Sequence, residues 1–338
     1  MKILRTGVLG VGHMGANHAR VYSELEGSQF SAVYDTNPAV CRAAAKKYGV
    51  HAATSLEDFA SRVDAATICS PTVTHFENGS FLLAAGKHLL IEKPIADTPA
   101  HARELSRLAG EHHCILQVGH IERFNPVLAA LEGRLQNPRF LEVTRLSQYP
   151  NRSTDIGVVL DLMIHDIEII LHLVRSPLTS IDPVGISVLS KGEDIANVRF
   201  HFENGCVANV TASRISQEKV RKIRVFQENA YLSLDYQNQS GYLLRLAESS
   251  ERESSTLQKL IGLASDSAIT TEIHGRRIVR EPVEIEKGEP LRLELEEFLA
   301  CARAGSTPKV TGQAAAAALD IALEITRRIE EADPRNKG

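Results

Sequence analysis

Gly10-Val11-Gly12-His13-Met14-Gly15 stands at the end of an apolar run and at the start of a helical one. This is Gly-x-Gly-x-x-Gly in the setting that gives it physical meaning. The first glycine permits a tight bend. The second lets a pyrophosphate approach bare backbone, and the third lets the helix pack against the strand. The surrounding chain has the matching rhythm. Residues 3–9, 30–34, 63–70, 88–92 and 114–119 read as strands, with helical patterns at 13–25, 38–48, 74–85 and 99–111. Strands and helices alternating at this spacing form βαβ units. The expected fold is α/β, with a doubly wound parallel sheet of Rossmann type over residues 1–120. An ordinary glycine turn is the plain alternative.

Beyond residue 120 the rhythm changes. One helix is expected around 157–174, and alternation then dominates from 184 to 236, in ISVLS, ANVRFHF, CVANVTASR, VRKIRVFQ and AYLSLDY. Such alternation predicts a large, open, mostly antiparallel sheet with one face covered. Residues 237–285 are polar, and SSERESS within them reads as an exposed loop, either a substrate lid or a simple connection. Helical periodicity returns at 291–304 and 312–331, where the alanines at 314–318 are strong helix formers. Residues 121–338 are thus expected to form an α+β domain for substrate binding and oligomerisation, with helix 312–331 placed to pack back on the first domain. A chain of 338 residues has room for both.

Asp35 closes the second strand, 20 residues after Gly15. A carboxylate there accepts hydrogen bonds from the adenosine ribose and repels a 2′-phosphate. Thr36-Asn37-Pro38 offers no arginine to receive such a phosphate. The expected cofactor is NAD rather than NADP, with mixed use left open and a flavin as a further alternative. Gly10, Gly12, His13, Met14, Gly15 and Asp35 are its candidate contacts.

Two further motifs carry chemistry. Glu92-Lys93-Pro94 ends a strand, and ligands in doubly wound folds sit outside the carboxyl ends of strands. Lys93 is either a group reaching cofactor and substrate or an exposed lysine before a turn. Asp161 and His165 lie four residues apart, on one face of a helix. They read as an acid/base unit, as a terminal carboxylate beside a core histidine, or as part of a metal site for which no further ligands are evident. No metal is expected. A net charge of -4, with no long run of one sign, argues against nucleic acid or an anionic membrane as partner. No apolar stretch is long enough for a membrane span, and the N-terminus lacks the layout of a signal peptide. The five cysteines are scattered, with no Cys-x-x-Cys pair, so reduced thiols in the cytoplasm are expected.

Together these segments resemble the Gfo/Idh/MocA family of sugar and cyclitol oxidoreductases. The resemblance runs along almost the whole chain. It includes the fingerprint, Asp35, Cys69-Ser70-Pro71-Thr72 with His75, and Glu92-Lys93-Pro94. It continues through Gly119-His120-Ile121-Glu122-Arg123-Phe124-Asn125-Pro126, the Asp161/His165 pair, Glu289-Pro290-Leu291-Arg292 and Thr311-Gly312. It implies that Ser70, Pro71, Thr72, His75, Glu92 and Lys93 line the cofactor site, and that Lys93, Asp161 and His165 are catalytic. A cis bond before Pro94 is likewise implied. Many members carry glycine where this chain has Met163. The implied reaction is hydride transfer from a secondary alcohol carbon to nicotinamide. Either His165 or Lys93 serves as base, and Asp161 orients the ring or holds a neighbouring hydroxyl.

VGHIERFNP and PNRSTDIGVVLDLMIHDIEI resemble the nucleotide-sugar 3-dehydrogenase branch, such as enzymes oxidising UDP-N-acetylglucosamine to its 3-keto form. In that branch an aminotransferase takes up the product for lipid A or surface polysaccharide. Lys93, Glu122, Arg123, Asn125, Asn151, Arg152, Asp161 and His165 are the candidate substrate contacts, the arginines and asparagines suiting a diphosphate. Lys219, Arg221, Lys222 and Arg224 read mostly as a solvated face. An inositol or free aldose dehydrogenase and a non-catalytic NAD-binding regulator are the competing readings. The open sheet predicts a homo-oligomer, dimer or tetramer.

Overall fold

The structure, a computed structural model, describes residues 3–149, 156–247, 268–273 and 276–333. The chain divides into two compact units: Met1–Phe124 with Gly288–Ile321, and Asn125–Lys287 with Ala322–Gly338.

In the first unit six strands form one parallel sheet in the order β3-β2-β1-β4-β5-β6. They are β1 (Leu4–Leu9), β2 (Ser28–Tyr34), β3 (His51–Ala52), β4 (Ala65–Ile68), β5 (His88–Glu92) and β6 (Leu116–Gly119). Between them run α1 (His13–Glu24), α2 (Pro38–Tyr48), α3 (Leu56–Arg62), α4 (His75–Ala84) and α5 (Pro99–Glu111). The strands are near-continuous apolar runs: Val8, Val33, Ala66, Ile68, Leu89, Leu90, Ile91 and Val118 are fully buried. A sheet covered on both faces requires this. The helix starts are written locally. The Asn37 side chain accepts from the Ala39 N–H at the start of α2, Thr98 accepts from His101 at α5, and proline follows each cap. The short elements β3 and α3 had no strong periodic signal, yet Ser55 caps α3 by accepting from Asp58 N–H. The helix Pro290–Ala304 joins this unit, placing Leu291, Leu295, Phe298 and Leu299 in its core.

The second unit holds a nine-stranded sheet in the order β14-β15-β13-β12-β11-β7-β10-β9-β8. Its strands are β7 (Phe140–Leu146), β8 (Leu178–Ile186), β9 (Ile195–Phe202), β10 (Val207–Ser213), β11 (Val220–Gln227), β12 (Ala230–Asp235), β13 (Ser240–Leu246), β14 (Ala268–Ile273) and β15 (Arg276–Pro282). Every pairing is antiparallel except β7 with β10. Burial alternates along β9 and β7, which fits one covered face. Two helices belong to this sheet: α6 (Pro126–Glu132) and α7 (Ile164–Val174).

Three expectations need correction here. Helix α6 and strand β7 occupy residues 126–132 and 140–146, where no element was expected. ISVLS does not form a strand: β8 ends at Ile186, and the N–H groups of Val188, Leu189 and Ser190 all donate to the Asp194 carboxylate. A side-chain anchor 4–6 positions away thus overrides the alternation. Within 237–285 three strands are present, while SSERESS lies outside the described residues. Among the described residues, no helix is long and apolar enough to cross a membrane.

Candidate active site

The register of the parallel sheet gathers five loops at one edge. Leu9 is level with Tyr34 and Ile68, Ile68 with Ile91, and Glu92 with Gly119. The next residues along each strand are therefore Gly10, Asp35, Cys69, Lys93 and His120. All follow carboxyl ends, where doubly wound sheets hold ligands.

The glycine turn has the geometry its spacing predicts. Gly10 adopts φ +83, a left-handed conformation favouring glycine. A Cβ on Gly15 would lie 1.8 Å from the Gly10 carbonyl oxygen, so only glycine lets α1 start so close to β1. Beside Gly12 there is open space, with nothing within 4 Å of where a Cβ would stand. Gly12 caps α1 with no side-chain hydrogen bond, leaving first-turn N–H groups for an anion. Asp35 accepts from Val11 N–H at 2.9 Å and Asn37 N–H at 2.8 Å, which fixes the loop and leaves carboxylate lone pairs for ribose hydroxyls. A dinucleotide fits these groups. His13 is exposed and Met14 half-buried at the same turn.

His75 ties the next two loops together. Its Nδ1 lies 2.9 Å from the Pro94 carbonyl and its Nε2 2.8 Å from the Ser70 carbonyl. Burial lowers its pKa, although the two carbonyls favour the charged ring. Both ring nitrogens face backbone, so His75 shapes the loops carrying Ser70, Pro71, Thr72 and Lys93 from beneath. The Lys93–Pro94 bond is cis.

Beneath Lys93 lies a polar cluster that the sequence did not reveal. His18 Nε2 meets Glu92 Oε1 at 2.9 Å, and Glu92 Oε2 accepts the Lys93 N–H at 3.2 Å. Glu294 is fully buried, and among the described residues neither of its oxygens has a hydrogen-bond partner. Burial and the nearby Glu92 and Glu297 push its carboxyl well up. The ligand atoms of His18, Cys69 and Glu92 lie within 4.8 Å of one another, but burial and the carboxylates hold the Cys69 thiol well above its usual range. Burial, with Lys93 and Arg123 adding positive charge, pushes His120 down to about 3, so it stays neutral beside the lysine.

In the second unit the expected helix is present with a changed first turn. Val159–Met163 is a π turn, closed by the Ile164 N–H donating to the Val159 carbonyl, and α7 follows. Such turns recur at functional sites. Asp161 lies in the π turn, half-buried. His165 lies in α7 with 9% of its surface exposed. The neighbouring Asp166 forms a buried two-point ion pair with Arg145 of β7, both contacts at 2.7 Å. That pair fixes α7 against the sheet.

The substrate candidates scatter. Glu122 and Arg123 are 5% and 7% exposed in the first unit. Asn125 caps α6 through the Val127 N–H and donates to the Tyr236 carbonyl, so it is engaged in holding backbone. Asn151 and Arg152 lie outside the described residues. Lys219, Arg221, Lys222 and Arg224 are all exposed, and Arg224 pairs with Glu142 at 3.0 Å. The cysteines are free, with no disulfide among them.

Comparison with known proteins adds a lineage. Residues 4–120 match the family model for an oxidoreductase family with an NAD-binding Rossmann fold, and residues 128–233 match the GFO/IDH/MocA C-terminal domain. The chain is 32% identical to UDP-N-acetylglucosamine 3-dehydrogenase of Acidithiobacillus ferrooxidans, over 97% of both chains. A solved structure of that protein superposes with a TM-score of 0.87, covering 98% of this chain and 99% of that one. An NAD-dependent scyllo-inositol 2-dehydrogenase of Bacillus subtilis is 25% identical, over 98% of this chain and 95% of its own. Levoglucosan dehydrogenase, solved with NADH and levoglucosan, shares the fold at a TM-score of 0.81 and 15% identity, over 98% of both chains.

Proposed function

Because the chain belongs to the Gfo/Idh/MocA family of NAD-dependent oxidoreductases acting on sugar hydroxyls, we propose that it oxidises UDP-N-acetylglucosamine at C3 to the 3-keto sugar. The observation carrying this reading is the end-to-end likeness to the Acidithiobacillus enzyme, at 32% identity against 25% for the inositol enzyme. A product of this kind feeds an aminotransferase for lipid A or surface polysaccharide.

The proposed roles follow from chemistry. Gly10, Gly12 and Gly15 with the α1 N-terminus hold the pyrophosphate, and Asp35 takes the adenosine ribose. When bound, NAD accepts the hydride leaving the carbinol carbon. His165 removes the hydroxyl proton, as an imidazole suits transfer near neutral pH. Asp161 orients the ring or a neighbouring hydroxyl. Lys93 donates to the substrate oxygen and stabilises its developing negative charge. His120, neutral and buried nearby, does not compete as a cation. Arg123 and Arg152 are the proposed diphosphate partners.

We also propose a homo-oligomer built on the open sheet face. Phe140, Phe226, Tyr231 and Tyr242 form a row of rings across four adjacent strands, with centroids 5.6, 4.5 and 6.1 Å apart. Such a row favours burial against a second copy. A monomeric mass in solution would refute it. The free cysteines support work in the reducing cytoplasm.

The test is absorbance of reduced nicotinamide formed from NAD and UDP-N-acetylglucosamine, with a coupled aminotransferase and glutamate drawing off the keto product. Signal lost in His165→Ala supports substrate and mechanism together. No signal, with NAD binding confirmed separately, rejects the nucleotide sugar and moves the search to inositols and free sugars.

A further inference from the structure

The helix carrying Asp161 and His165 has no capping side chain of its own. Its N-cap residue, Val158, is apolar. The first N–H groups of a helix have no intrahelical partner and need one when buried. Here both partners belong to Glu193, 34 and 35 positions further along the chain. Glu193 Oε1 accepts the Val159 N–H at 3.0 Å, and the Glu193 carbonyl accepts the Val158 N–H at 2.8 Å. Glu193 is 2% exposed.

The residues around Glu193 are shaped for this contact. A Cβ on Gly157 would lie 2.0 Å from the Glu193 carboxylate, so glycine at 157 is what admits the side chain. The loop holding Glu193 is itself anchored. Asp194 is fully buried and accepts the N–H groups of Val188, Leu189 and Ser190, together with the Ser190 hydroxyl. Arg214, also fully buried, donates Nε to Asp194 at 2.9 Å and Nη1 to the Ile156 carbonyl at 2.7 Å. One arginine thus holds both the loop bearing the cap and the segment entering the helix. A glutamate supported in this way has a fixed geometry at the turn that contains Asp161.

We infer that Glu193 is a positioning residue for the Asp161/His165 pair, capping their helix from the β8–β9 loop and fixing its first turn. This inference rests on the reading of that pair as catalytic. Glu193 touches no reacting atom. It acts through the N–H groups of residues 158 and 159; Asp194 acts through it, and Arg214 acts both through it and on the Ile156 carbonyl.

The experiment uses the full-length protein as wild type, Glu193→Ala and Glu193→Gln. Amide hydrogen exchange is followed by mass spectrometry for peptides covering residues 157–165 and, as internal control, for peptides of the first unit. Glu193→Ala should speed exchange in 157–165 by about fivefold to tenfold, the equivalent of one lost cap, and leave the first unit unchanged. Glu193→Gln, whose amide oxygen still accepts, should restore protection. With NAD and UDP-N-acetylglucosamine as probe, Glu193→Ala should lower kcat by about tenfold or more with the KM for NAD unchanged, and Glu193→Gln should recover most of the rate. Unchanged exchange in Glu193→Ala overturns the inference, and so does equal impairment of the Ala and Gln proteins. If the wild type does not turn over this sugar, the substrate assignment falls. Exchange at 157–165 together with the NMR titration of the His165 ring, which needs no substrate, then decides the cap: a His165 titration identical in wild type and Glu193→Ala overturns it.

Discussion

The two units hold their functional groups by different means. In the first, the pyrophosphate cradle is backbone: a left-handed glycine, an uncapped helix start and the carboxyl ends of adjacent parallel strands, with Asp35 and His75 tying the loops. In the second, the helix bearing Asp161 and His165 is held by buried ion pairs and by a cap from the β8–β9 loop. Arg145 holds Asp166, Arg214 holds Asp194, and Glu193 holds the helix start. A backbone-built site tolerates change around it as long as the turn survives. A site held by buried charges is exposed to every partner in the network.

This contrast can be broken most sharply at the chemistry. His165→Ala should lower turnover by about 100-fold to 10,000-fold while NADH affinity, read by fluorescence titration, stays at the wild-type value. A parallel loss of NADH binding would mean that the two units do not divide the work as described. Next, Arg145→Ala should destabilise the protein by about 3–5 kcal/mol in urea unfolding, because it strands a buried carboxylate. Replacing Arg145 and Asp166 together with apolar residues should recover most of that stability without recovering full activity. A single variant as stable as wild type would remove the ion pair from the account.

Smaller effects sharpen the first unit. Asp35→Ala should weaken NAD about tenfold and narrow its advantage over NADP, measured as a ratio of kcat/KM values. The smallest effect is a pH dependence. The Glu294 carboxyl is raised in the folded state, so its protonated form favours folding. That contribution is present at low pH and lost as pH rises through the raised value. Glu294→Gln should therefore raise the melting temperature by about 2 °C or more at pH 8, with the gain shrinking toward pH 5. A gain that is larger in acid would reverse the assigned sign.

The cofactor half was legible in sequence because each feature is local. Gly10, Gly12, Gly15 and Asp35 lie within 26 residues, and their spacing matches the geometry they adopt. Helix α7 was also legible from its apolar period. Its π turn was not: no local pattern marks it, and Glu193, which accepts the Val159 N–H at its start, lies 34 positions further on. Strand β7 was missed because its partners, β10 and β11, lie more than sixty residues further on. Asn125 read as a ligand group; that its amide also holds the Val127 N–H and the Tyr236 carbonyl, the latter 111 positions away in the chain, was not visible in the sequence.

By itself the sequence determined the parallel sheet, the glycine turn, the chemical groups and the family, because periodicity and short spacings are properties of neighbouring residues. Tertiary structure decided which buried polar groups meet. His18 with Glu92, Arg145 with Asp166, and Glu193 with the Val159 N–H at the start of the helix bearing Asp161 and His165 are pairs whose members lie 74, 21 and 34 positions apart. A buried charge must find a partner, but its identity depends on packing that no local pattern encodes.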